Sequence, residues 1–156
     1  MKRTFLTLFS TLIALTAYAQ PRALGVRAGL EYQVSYEHSV RERSNFVEVD
    51  LGMQLLGRGL NAALAYNFMI VRPDWTRRGE WGFYLGPAVK VGHLWVGTYV
   101  AAGMQIGLEY NFDFPLQISI DTRPAVGAAI VNRTISLYGG ESTAGGIPCI
   151  SIRYRF

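Results

Sequence analysis

The sequence predicts an all-β fold, a closed antiparallel eight-stranded transmembrane up-and-down β-barrel. Three observations carry that expectation. Apolar and polar residues alternate with a period of two along most of the chain. The polar phase of the alternation is rich in glycine and in charges of both signs. An export-type leader stands at the start, and an alternating segment ending on an aromatic residue, Ile150-Ser-Ile-Arg-Tyr-Arg-Phe156, stands at the end. A period of two belongs to a strand with two unlike faces.

The leader comes first. Lys2 and Arg3 make a positive start, Phe5 to Leu15 is apolar, and Ala17-Tyr18-Ala19 is a small-x-small cleavage site, so residues 1–19 read as a signal peptide and 20–156 as one barrel domain. The apolar run is short for a membrane anchor. Without Lys2 and Arg3 the formal charge falls from +4 to about +2, which gives no basis for nucleic-acid binding. The single cysteine, Cys149, cannot form an intramolecular disulfide.

From Leu24 to Tyr36 the even positions are apolar or aromatic (Leu24, Val26, Ala28, Leu30, Tyr32, Val34, Tyr36), and Arg27, Glu31 and Gln33 alternate with them. This reads as one strand. Asn45–Leu56 is the second, with Val47, Val49, Leu51 and Met53 opposite Glu48, Asp50 and Gly52. Gly57-Arg58-Gly59 turns the chain into a third, Leu60–Val71. The polar stretch Arg72–Glu80 precedes a fourth, Trp81–Val91, with Lys90 on its polar face. The fifth lies within Val96–Phe112 and carries Glu109. Asp113-Phe114-Pro115 leads into the sixth, Leu116–Val126, with Asp121 and Arg123. Gly127–Tyr138 alternates poorly and holds one short strand. Ile150–Phe156 completes eight, an even number as single-chain bacterial barrels require.

The polarity of the faces points to lipid outside and a narrow lumen inside. No Asp, Glu, Lys or Arg falls on the apolar phase of the seven clear strands. One such charge at a bilayer midplane would cost about 2–4 kcal/mol. The polar phase holds Gly25, Gly29, Gly52, Gly82, Gly86, Gly103 and Gly107, which a solvated outer face would not favour but a crowded interior would. Its charges nearly balance, with Arg27, Lys90, Arg123, Arg153 and Arg155 against Glu31, Glu37, Glu48, Asp50, Glu109 and Asp121. Within that set, Glu31, Glu48, Asp50, Lys90, Glu109, Asp121, Arg123 and Arg153 are the expected internal ion-pair network. Tyr36, Tyr66, Phe68, Trp81, Phe83, Tyr110, Phe112, Tyr154 and Phe156 are placed as aromatic girdles at both ends of the apolar band.

Several segments resemble a known family. Gly25-Val-Arg-Ala-Gly29 with Val34-Ser-Tyr-Glu-His38, Trp81-Gly-Phe-Tyr-Leu-Gly86-Pro87 with Val91-Gly-His93, Gly107-Leu-Glu-Tyr-Asn-Phe112, Pro115-Leu-Gln-Ile-Ser-Ile-Asp-Thr-Arg-Pro124 and Ser151-Ile-Arg-Tyr-Arg-Phe156 are similar to the small outer-membrane β-barrel proteins of Bacteroidetes. Gly127–Tyr138 departs from the pattern. The resemblance implies an outer-membrane location and a barrel. It also implies that Phe156 belongs to the signal read by the barrel-assembly machinery, met after periplasmic chaperones. It implies no activity and no catalytic residues.

Chemistry-bearing motifs are few. Gly57-Arg-Gly-Leu-Asn-Ala62 fits G-x-G-x-x-A by letter, but a strand follows where a dinucleotide site needs a helix. Asn132-Arg-Thr134 is a glycosylation sequon by pattern only. His38, beside Ser39 at the expected outer end of the first strand, and His93, at an expected periplasmic turn, are the only histidines and are poorly placed for hydrolysis of an outer-leaflet lipid. No catalytic residue, cofactor or metal site is expected. The expected role is structural or surface-binding, with a side-chain-filled lumen. Narrow porin-like transport and lipid modification are the alternatives. The expected partners are outer-membrane lipid and lipopolysaccharide around a monomer with both termini periplasmic. Contacts are expected through the extracellular segments Val40–Ser44, Arg72–Glu80 and Gly139–Gly146, with Arg72, Trp75, Arg77 and Arg78 facing phosphates.

Overall fold

The structure is a computed structural model that describes residues 21–29, 31–40, 45–54, 59–95, 97–131, 133–138 and 147–156. The expected signal peptide at 1–19 and the segments 41–44 and 139–146 lie outside the described residues. Ten strands run in chain order: β1 Pro21–Ala28, β2 Glu31–Val40, β3 Asn45–Gln54, β4 Gly59–Val71, β5 Glu80–Leu94, β6 Gly97–Asn111, β7 Leu116–Thr122, β8 Ala125–Val131, β9 Thr134–Tyr138 and β10 Cys149–Arg155.

Eight of them close a ring. β1 to β7 pair in succession, and β10 pairs with both β7 and β1, all antiparallel. The stagger of that ring follows from its registers. Starting at Gln117 on β7, the partners run Arg153, Gly25, Ser35, Asp50, Ala63, Lys90 and Ala101. The path returns at Gly127 on β8, ten residues further along. β7 and β8 are one wall strand, because both hold the same register against β6 (Ile106 with Thr122, Gly103 with Ala125). With strands about 4.8 Å apart and about 3.3 Å per residue, a ten-residue stagger over eight strands tilts each by about 40°.

The strand count matches the sequence expectation, but two elements differ. Leu24–Tyr36 is a hairpin and not a single strand. Ala28 pairs with Tyr32 across an odd number of residues, so partners share parity and the alternation passes through the turn unbroken. The Gly29 N–H donates to the Glu31 carbonyl at 3.0 Å inside that turn. Gly127–Tyr138 is likewise not a separate wall strand. Its first half continues β7 past Pro124, and its second half, β9, folds back on β8 beside Arg133, which adopts φ 64°. Pro124 keeps one bond of its pair, accepting from the Met104 N–H at 3.1 Å, and has no N–H to return the other.

The extra hairpin reverses the ends. The strand ends at Val40, Asn45, Val71, Glu80, Asn111 and Leu116, with loop 72–79, share the end of the barrel that carries Pro21 and Arg155, while Ala28, Glu31, Gln54, Gly59, Leu94, Gly97, Val131 and Thr134 lie at the far end. Extracellular placement of 72–80 therefore cannot coexist with periplasmic termini. The nine aromatics expected at both ends also gather at one. Each lies in, or just beyond, the terminal half of its strand. Their rings touch in series, with Tyr66–Phe68 at 5.0 Å, Trp81–Tyr110 at 4.8 Å, Tyr110–Phe112 at 4.6 Å and Tyr154–Phe156 at 5.3 Å.

Inside, glycine makes room for tyrosine. Tyr84 pairs with Gly107, and a Cβ built on Gly107 would sit 2.3 Å from the Tyr84 ring. Tyr99 covers Gly92 in the same way, at 2.5 Å. Gly107→Val is expected to destabilise the barrel by about 1–3 kcal/mol through overpacking. The lowered urea midpoint should be largely restored in Gly107→Val with Tyr84→Ala; an unchanged midpoint in the single variant would refute the pairing.

Candidate functional site

Among the described residues, the lumen holds the most extensive set of polar side-chain contacts. Arg27, Glu31, Gln33, Ser35 and Glu37 follow one another on the inner face of β1 and β2 and are buried, while Val26, Tyr32 and Val34 between them point outward and are exposed. β3 contributes Phe46, Glu48 and Asp50, and β4 contributes Asn61 and Asn67. Gln105 and Glu109 come from β6, Gln117, Ser119 and Asp121 from β7, and Ser151 and Arg153 from β10.

Arg153 lies at the centre with no exposed surface on its side chain. Its guanidinium meets Glu48 at 2.5 Å and Glu37 at 3.1 Å, and donates to Ser35 Oγ at 2.9 Å and Ser119 Oγ at 2.8 Å. Glu48 also accepts from Arg123 at 2.8 Å, Gln105 at 2.8 Å and Ser35 at 3.1 Å. Arg123 is paired in addition with Asp50. Toward the terminal end, Arg22 holds Glu109 through both carboxylate oxygens and approaches Glu37 at 3.4 Å. Gln117 bridges Glu37 at 3.1 Å and Glu109 at 2.9 Å. Toward the far end, Arg27 meets Asp121 at 2.5 Å and donates to Gln33 at 2.9 Å, and Gln33 reaches Glu31 at 3.1 Å and Asn61 at 2.8 Å. Lys90 closes that cluster on Glu31.

All eight residues singled out for the network face the lumen: Glu31 with Lys90, Glu48 with Arg123 and Arg153, Asp50 with Arg123, Asp121 with Arg27, and Glu109 with Arg22. One placement differs from the sequence reading, and one lumen cation is not named by it. Arg155 is not a lumen charge; it lines a cleft at the terminal end. Arg22 takes its place, although its even number assigns it to the outer face. The register shifts between Pro21 and Ala23, and this bulge turns the Arg22 side chain inward. There it also lies over the Phe46 ring, 4.0 Å from the centroid. No periodicity argument could find it, because the bulge breaks the period.

The histidines exchange ends relative to expectation. His38 lies at the terminal end of β2, stacked on Tyr36 with ring centroids 6.2 Å apart. His93 lies at the far end of β5, with Nδ1 2.8 Å from Thr98 Oγ1. Among the described residues no group of three or more His, Cys, Asp or Glu is arranged to hold a metal ion. Phe156 donates its N–H to the Arg22 carbonyl at 3.1 Å, and its ring packs on Tyr154.

The loop 72–79 is folded back on the barrel. Tyr110 Oη donates to the Arg78 carbonyl at 2.8 Å, as does Thr76 Oγ1 at 2.7 Å, and the Gly79 N–H donates to Asp113 at 2.8 Å. Gly79 has φ 68°, a left-handed conformation that glycine adopts without strain. Trp75 packs on Trp81 at 5.4 Å. Arg72 pairs with Glu80 at 3.4 Å, and Arg77 and Arg78 are exposed.

Comparison with protein-family models, with curated proteins and with solved structures finds no match.

Because Glu48 is fully buried between two arginines, Glu48→Gln is expected to cost about 3–5 kcal/mol. Glu31→Gln, which faces the partly exposed Lys90, should cost less. Urea unfolding of the two variants measures the difference; equal costs would mean that burial does not set the strength of the network.

Proposed function

We propose that this chain is an integral outer-membrane β-barrel with a lumen closed by its own side chains and a structural or surface-binding role in the envelope, without catalytic turnover. One observation carries the reading: the polarity of the barrel is inverted. Its interior is lined by Arg27, Glu37, Glu48, Asp50, Glu109, Asp121 and Arg153, all buried. Its outer wall presents Val26, Val34, Leu51, Leu64, Val89, Val100, Ile120 and Ile152, all exposed. A barrel in water would gain nothing from that arrangement, since the hydrophobic effect drives those side chains out of water. A hydrocarbon surround removes the cost, and ring closure through β10 and the β5–β6 pairing joins the edges of the eight-stranded wall. The leader at 1–19, the alternating terminal strand and the resemblance to small Bacteroidetes barrels support the outer membrane in particular.

Filling by Arg153, Tyr84, Phe46, Gln105 and Gln117, each with essentially no exposed surface, argues against a free pore. Periplasmic termini would set loop 72–79 on the periplasmic side. Contact with lipopolysaccharide would then fall to the far end, around Gly29, Gln54, Gly59, Leu94 and the far ends of β8 and β9.

The protein is expected in the outer-membrane fraction, with a gel mobility that changes on boiling; recovery as a soluble periplasmic protein would overturn the reading. In planar bilayers it should give no steady ohmic single-channel current. Such currents from the wild type would establish transport instead.

A further inference from the structure

Loop 72–79 and the β6–β7 turn together wall a cleft of about 310 Å³ at the terminal end, lined by Arg77, Arg78, Gly79, Glu80, Asn111, Phe112, Asp113 and Arg155. Its two carboxylates are engaged, Glu80 by Arg72 and Asp113 by the Gly79 N–H. Among the described residues, Arg77, Arg78 and Arg155 make no ion pair. Three guanidinium groups from two separate elements thus border one concave space with two carboxylates, of which Glu80 is paired with Arg72, and the cleft keeps a net positive charge. Guanidinium forks match phosphate oxygens in geometry and charge.

The surroundings of the cleft narrow the source of the phosphate. Trp75, Trp81, Tyr110, Phe112 and Phe114 form a continuous series of ring contacts, spaced 4.6–5.4 Å. Phe112 is both a member of that series and part of the cleft lining. Aromatic rings of this kind settle at the boundary between hydrocarbon and headgroups. A cationic cleft sharing a wall with such a series lies at headgroup depth, with acyl chains beside the rings and phosphate beside the arginines. The bonds donated by Tyr110 Oη and Thr76 Oγ1 to the Arg78 carbonyl, and by the Gly79 N–H to Asp113, fix the loop and so spare a ligand much of the ordering cost.

We propose that the cleft formed by Arg77, Arg78 and Arg155 binds the phosphodiester headgroup of a phospholipid in the leaflet at the terminal end of the barrel, a site that rests on the membrane reading above. The test uses the purified full-length protein in detergent, with native mass spectrometry against added phosphatidylglycerol and phosphorus NMR titration with inorganic phosphate. Gel mobility before and after boiling is recorded for every sample. Wild type should retain phosphatidylglycerol, and R77Q/R78Q/R155Q should retain at least tenfold less while keeping the mobility change. R77E and R78E alter exposed loop side chains only, and each alone should also weaken retention. Equal retention by wild type and variants, with the mobility change intact, overturns the headgroup site alone. Inorganic phosphate binding as tightly as the lipid overturns the lipid source. A wild type without the mobility change overturns the membrane reading and the headgroup site with it.

Discussion

Closure of eight strands with a ten-residue stagger is the constraint on which the rest of the molecule depends. It satisfies the wall's backbone groups in a ring and sets a lumen just wide enough for side chains. Every inward position must then be filled by a side chain of the right size or by none. That is why Tyr84 lies over Gly107 and Tyr99 over Gly92, and why the long arginines thread between short serines such as Ser35 and Ser119. Charge follows from the same restriction. A polar interior too narrow for bulk water must neutralise itself, and Arg153, Arg123, Arg27 and Arg22 each meet carboxylates from other strands.

The network acts as a cross-brace as well as a filling. Arg153 on β10 reaches Glu37 on β2 and Glu48 on β3, and Arg27 on β1 reaches Asp121 on β7. These pairs span the lumen between strands that are not all neighbours in the ring. Their geometry therefore exists only when the whole ring has closed. Formation of the barrel and satisfaction of its buried charges are coupled for that reason, and a single missing partner strands charge in a place that water cannot reach.

The two ends are unlike. The terminal end carries the aromatic contacts, the folded loop 72–79 and the arginine cleft. At the far end the β1–β2 hairpin stops at Ala28 and Glu31, while β8 and β9 continue along the opposite part of the wall beside β6. Function in a barrel with a closed interior is left to such differences between its ends.

The sequence alone determined the strand class, the inward and outward phases and the balanced interior charge, because all three are written in a period of two that local geometry enforces. It also located most strands to within a few residues, from Asn45 through Asn111 and again at the C-terminus. Tertiary structure decided what local pattern cannot carry. An odd-spaced hairpin at Gly29 preserves parity, so the alternation hides the reversal of direction and with it the end to which every later loop belongs. A bulge at Arg22 breaks parity, so a residue that the period would place outward becomes a lumen cation at the terminal end. Partner choice among the charges depends on which strands the ten-residue stagger brings to one level. That stagger is a property of the closed ring and of no single strand.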